Sequence, residues 1–170
     1  DNSIVGNYGK GIMSELGEGN LIVSGNTLQN NTPGGIDIDE WNSGTIVIDH
    51  NTIIDGTTAG IWLSIYSYNT SARVEANLIR GCHLGLGISV NGRVVPEIID
   101  NVVSDNLHGG IYVYCGDSNE DGSIPMTGNI IVNNGDHGVY LEGYANARIN
   151  YNDIYGNSGY AIDNRTCFEI

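Results

Sequence analysis

Aliphatic and polar residues alternate along this chain with a spacing of two, and the alternating runs return at a nearly constant interval. The stretch Asn101-Val102-Val103-Ser104-Asp105-Asn106-Leu107-His108-Gly109-Gly110-Ile111-Tyr112-Val113 shows the unit. It has Asn, an aliphatic two residues on, Asn again at five, then Gly-aliphatic-x-aliphatic. The skeleton recurs seven times, its leading residue falling at Asn2, Asn26, Asn51, Asn77, Asn101, Asn129 and Asn152, with spacings of 24, 25, 26, 24, 28 and 23 residues. A period of that size predicts a solenoid.

Aligned columns make the pattern specific. Ile4, Leu28, Ile53, Ile79, Val103, Ile131 and Ile154 stand two residues after each Asn. Val23, Ile48, Val74, Ile98, Met126 and Ile149 stand three before six of them. A third column is Ile12, Ile36, Ile61, Leu86, Ile111, Val139 and Ile162, preceded by glycine in every copy but the last, which has Ala161. Each copy therefore predicts three short strands, none able to bury its apolar side alone, and stacked copies bury a continuous column. Strands that repeat in one direction pair in parallel about 4.8 Å apart, so seven coils make a rod on the order of 30 Å long. The Asn is expected at the bend after the second strand, where it tolerates the left-handed conformation and its amide bonds the Asn of the next coil. Glycine before the third strand fits a bend that a side chain would obstruct.

With these columns the chain resembles the right-handed parallel β-helix of the pectin-lyase-like superfamily, built of PbH1-type repeats. The Asn column is similar to that fold's asparagine ladder, and the Gly-Ile-x-Ile strand to its first sheet. The resemblance implies an all-β, single-domain solenoid over residues 1–170, with about seven coils and three short parallel sheets. It implies little about activity, because enzymes and non-catalytic surface proteins share this scaffold.

Composition narrows the partners. A net charge of −14, with one lysine (Lys10) and five arginines, argues against nucleic acid or an anionic membrane. No apolar run reaches membrane-spanning length. The chain begins and stops in mid-coil, which suggests a piece of a longer protein or a subunit associating through open coil ends. Cys82 and Cys115 fall at opposite ends of first-sheet strands, too far apart to pair, and with Cys167 they read as free thiols. Sequons at Asn30, Asn69 and Asn164 are compatible with a secreted or cell-surface location.

Alternation places two outward columns on the first sheet. One runs Met13, Asp37, Trp62, Gly87, Tyr112, Tyr140, Asp163, and the other Glu15, Asp39, Ser64, Ser89, Tyr114, Glu142, Arg165. The resembling enzymes lay a polysaccharide on this face. Rings stack on apolar sugar faces and acids take hydroxyl protons, so Glu15, Trp62, Tyr112, Tyr114, Tyr140 and Glu142 are candidate substrate-binding residues. The alternative is that like neighbours simply stack on a solvated sheet.

Three constellations are candidates for chemistry. Asp37 and Asp39, with Glu15 one coil away and Glu40 near, have carboxyls spaced as an inverting glycosidase needs, although the Asn-Thr-Asp and Gly-His-Gly motifs of the resembling polygalacturonases are missing. His83, His108 and His137 lead into the first sheet in consecutive coils, and His108 is a candidate base for elimination or epimerisation of a uronate. Their offsets from the ladder Asn are six, seven and eight, which predicts a staggered column, and no arginine falls clearly beside it. Asp117, Asn119 and Asp121 follow the D-x-N-x-D-G order of a calcium loop, but its twelfth position is Gly128, not a bidentate Glu. The favoured reading is a non-catalytic extracellular module that binds polysaccharide on the first-sheet face or serves as a rigid assembly element. The alternative is a polysaccharide lyase, glycoside hydrolase or uronate epimerase acting in the same groove.

Overall fold

The computed structural model describes residues 1–67, 70–90, 95–116 and 123–166, with the side chains of 40–41 and 87–90 left aside. The described residues form strands and turns only, in three parallel sheets. The first sheet stacks Ile12–Glu15, Ile36–Trp41, Ala59–Ile65, Leu84–Val90, Ile111–Cys115, Val139–Gly143 and Ile162–Thr166 in chain order. The second contains the six strands between Glu18–Ser24 and Ala147–Asn150, and the third the seven three-residue strands between Ser3–Val5 and Asp153–Tyr155. The described residues thus close about six full turns, against the seven copies counted in the sequence, because the second sheet has one strand fewer than its neighbours.

The aliphatic columns land on one another. Ile12, Ile36, Ile61, Leu86, Ile111, Val139 and Ile162 are consecutive partners in the first sheet. Val23, Ile48, Val74, Ile98, Met126 and Ile149 pair likewise in the second. From coil two to coil six these residues are buried, and they line one dry tube. Cys82 and Cys115 are buried free thiols within that wall. Burial pushes both thiols up, Cys115 to about 11.

A fully dry interior cannot hold a carboxamide unless every polar atom finds a partner. The ladder meets that condition. Asn101 Oδ1 accepts from both the backbone N–H and Nδ2 of Asn77, each at 3.0 Å, and Asn101 donates through the same two groups to Asn129 Oδ1. The second hydrogen of Asn101 Nδ2 goes to the carbonyls of Val74 and Ile99. The same arrangement runs from Asn2 to Asn152. A second ladder lies at the other end of each third-sheet strand. It pairs Asn7 with Asn31, and Asn106 with Asn134 and Asn157, and is interrupted by Gly56 and Cys82.

The left-handed conformation belongs to a different residue from the one expected. The ladder asparagines do not adopt it, and the residue immediately before each one does: Gly25 (φ 68°), His50 (φ 53°), Ala76 (φ 51°), Asp100 (φ 53°), Gly128 (φ 71°) and Tyr151 (φ 56°). The left-handed residue reverses the chain, and the Asn that follows is thereby aimed into the wall, where those from Asn26 to Asn129 are buried. The second bend repeats the device at Asn30, Asp55, Gly81, Asp105 and Asn133. The glycines ahead of the first sheet answer a different demand, that of close approach. A Cβ on Gly110 would lie 2.5 Å from the Gly138 carbonyl oxygen and 2.6 Å from Ile131 Cγ2, both in the next coil.

A further departure is local. Ile38 pairs with Leu63 but Trp41 pairs with Ile65, so a bulge breaks the expected Asp39–Ser64 alignment, and Ser64, on the outer side between the core residues Leu63 and Ile65, is covered.

Two stability predictions follow from these contacts. Asn101→Ala strands the two donors of Asn77 and should cost about 3 kcal/mol in chemical denaturation, whereas Asn2→Ala at the exposed end of the ladder should cost less than about 1 kcal/mol. Gly110→Ala should cost about 2 kcal/mol by overpacking, while Ala161→Gly in the exposed final coil should stay within about 1 kcal/mol of the parent.

Candidate functional site

The outward column of the first sheet becomes a run of stacked rings in its second half. Trp62, Gly87, Tyr112, Tyr140 and Asp163 are consecutive partners. Trp62 and Tyr112 are two coils apart, about 9.6 Å at the usual strand spacing. Their ring centroids are nevertheless 6.5 Å apart with planes 13° from parallel, because glycine between them has no side chain and the rings close over the gap. Tyr112 and Tyr140 continue the stack at 5.6 Å. The stack then leaves the sheet. The His137 ring, from the preceding turn, lies 5.7 Å from Tyr140, and Tyr160 lies 5.5 Å from His137 on the other side. The rings therefore stack mainly on one another and form a wall, where separate plates for sugar faces were one expectation.

Beside that wall is a cleft of about 400 Å³, lined by Trp62, Tyr112, Tyr140 and His137 together with His108 and Asp136 from the turns of two successive coils. Leu84 and Ile111 belong to its apolar lining.

Hydrogen bonds fix the polar groups along the wall. His137 Nδ1 accepts the Tyr160 backbone N–H at 2.9 Å, so the proton of the neutral ring is on Nε2. Nε2 faces Asp163 Oδ2 at 3.3 Å and Asp136 Oδ1 at 3.5 Å. Asp163 is buried, and its two oxygens accept from Arg165 Nε and Nη2 at 2.7 and 3.0 Å. That bidentate hydrogen bond holds the Asp163 carboxyl below its usual range. Arg165 is thus linked through Asp163 to His137, although the sequence put no arginine clearly beside the histidines. Tyr112 donates its hydroxyl to Glu142 Oε2 at 2.9 Å, and burial followed by that carboxylate pushes the phenol up to about 12.

The histidine column is staggered, as its offsets imply. The His83 and His108 rings meet edge to face at 4.0 Å, and the His108 backbone N–H donates to the His83 carbonyl. In the next coil the residue in line with His108 is Asp136, whose N–H donates to the His108 carbonyl, while His137 is displaced toward the sheet. Asp136 has the same offset of seven from its ladder Asn as His108 has, so counting offsets would have found it. Tyr160 lies outside the two outward columns, and only the turn geometry brings it in.

The acid group lies in the first two coils, and its Asp37 is the register partner of Trp62 at the edge of the cleft. Glu15 and Asp39 are register partners, and Asp37 is ion-paired with Lys10. Tyr114 is half-buried, with Glu142 as its partner on the next strand. The proposed calcium ligands Asp117, Asn119 and Asp121 lie outside the described residues. Among the described residues, no group of three or more His, Cys, Asp or Glu side chains is placed to hold a metal ion.

The Tyr112 phenol supplies a test of this electrostatic picture. The folded protein keeps that proton to higher pH than the unfolded chain does, so Tyr112 adds no pH dependence below about pH 10. Stability should then fall as pH rises from about 10 through about 12. Tyr112→Phe should flatten the fall in alkaline denaturation and remove the latest tyrosinate step from the ultraviolet titration.

Residues 1–72 and 63–168 match the family described as right handed beta helix region. No curated protein and no solved structure matches the chain. With nearly its whole length covered, the chain belongs to the right-handed beta helix family.

Proposed function

We propose that the cleft beside Trp62, Tyr112 and Tyr140 binds polysaccharide, and that the protein is a non-catalytic β-helix module of the cell surface or extracellular space. The observation that carries this reading is the cleft itself, whose lining combines the stacked rings of Trp62, Tyr112 and Tyr140 with the polar groups of His108, Asp136 and His137. Sugar recognition needs both apolar contact area and fixed hydrogen-bonding groups. Glu142 and Asp136 supply acceptors near the rings, and the stacking holds the rings in place before any ligand arrives, which lowers the entropic cost of binding.

The lyase, hydrolase and epimerase alternatives have less support. A general base needs a free lone pair. On His137 the Nδ1 pair is taken by Tyr160 N–H, and Nε2 lies 3.3 Å from the Asp163 carboxylate. Asp37 stands beside Trp62 in register, but its carboxylate is ion-paired with Lys10. His108 is exposed and meets the His83 ring edge to face, and it serves this reading as a binding group on the rim. An extracellular setting goes with a polysaccharide ligand, and Asn30 of the first sequon is exposed. Among the described residues no helix is long and apolar enough to cross a membrane.

Binding is tested by calorimetry against a panel of neutral, amino and acidic polysaccharides, with reducing-end and double-bond assays run alongside. Tyr140→Ala should lower affinity at least tenfold, and Arg73→Ala on the second sheet should leave it unchanged. Absence of binding across the panel would refute the proposal, and turnover abolished by His108→Ala would replace it with the enzymatic reading.

A further inference from the structure

Resting on the cleft being a glycan site, we infer that it selects by charge: it takes an uncharged or amino-bearing glycan and rejects a polyuronate. Asp136 lines the cleft with its side chain 54% exposed, so its carboxylate meets whatever enters. Just behind the wall, Glu142 engages one oxygen with the Tyr112 hydroxyl, leaving its negative charge in place. A third carboxylate, Asp163, has its charge met by Arg165. This last pairing decides the sign of the site. Arg165 is the cation nearest the rings in this network, and its charge is already met by the Asp163 carboxylate that Nε and Nη2 hold, so the pair offers a ligand carboxylate less attraction than a lone arginine would.

The whole molecule adds to the local field with a net charge of −14. A polyuronate has one carboxylate on every sugar, so no register along the cleft keeps its charges more than about a Debye length, roughly 8 Å in physiological salt, from Asp136. Shifting the chain along the rod does not relieve the repulsion. A neutral glycan meets the same hydrogen-bonding groups without that cost, and a protonated amino sugar gains from them.

The test measures the full chain at pH 8, above the ordinary imidazole range, against three kinds of hexasaccharide. Neutral cello-, xylo-, manno- and chito-hexaoses form the first set, the hexamer of glucosamine is the second, and the hexamer of galacturonate is the third. Each is measured at low and high salt, with calcium and with chelator. The galacturonate hexamer should bind at least tenfold more weakly than the best neutral one, and the gap should shrink as salt rises. Asp136→Asn should narrow the difference between the glucosamine and galacturonate hexamers at least threefold at low salt. Galacturonate binding as tight as the best neutral hexamer, with or without calcium, overturns the charge rule and leaves the cleft as a glycan site. A preference for neutral sugar that neither salt nor Asp136→Asn alters also overturns it. If no hexasaccharide of any kind binds, the failure belongs to the glycan-site reading itself.

Discussion

Every turn of this tube depends on a carboxamide that cannot be satisfied within its own turn. Asn77, Asn101 and Asn129 are buried, and each takes its principal acceptor from the Asn of the following coil. A buried amide without partners costs more than a made hydrogen bond returns. The ladder is therefore stable only as a stack, and its register is specified by polar groups as well as by the aliphatic columns. The left-handed residue ahead of each ladder Asn and the glycine ahead of each first-sheet strand serve the same end. One aims the amide, and the other lets neighbouring backbones approach.

The architecture was legible because it is periodic. Columns such as Ile36, Ile61, Leu86, Ile111 and Val139 can be aligned by counting, and parallel stacking turns sequence alignment directly into spatial register. Counting failed where the period breaks. One extra residue between Ile38 and Trp41 removed the Asp39–Ser64 alignment, and no residue type announces a bulge. The bend was misassigned for a related reason. The invariant Asn marks it, but the residue that turns the chain is variable (His50, Ala76, Asp100, Tyr151) and so has no pattern to read.

The candidate site was legible in part. Trp62, Tyr112 and Tyr140 share a column by alternation alone, and the structure keeps them there. Side-chain direction was not available from the columns. That His137 lies between Tyr140 and Tyr160, and that Asp163 is covered by Arg165, depend on rotamers and on the path of a turn. Those details change the chemistry of the wall, since the lone pair on His137 Nδ1 is already taken by the Tyr160 backbone N–H.

The ladder also has a direction. From Asn2 to Asn129 each carboxamide gives a hydrogen to the Asn oxygen of the coil that follows, and the Asn-to-Asn bonds all run that way. The two sides of a coil are consequently unlike along the ladder, one offering an amide hydrogen to its neighbour and the other an amide oxygen. Lengthening or shortening such a tube keeps this polarity only when whole coils are added or removed, so a lineage of these proteins would change length in steps of one repeat and tolerate smaller changes only in loops outside the wall.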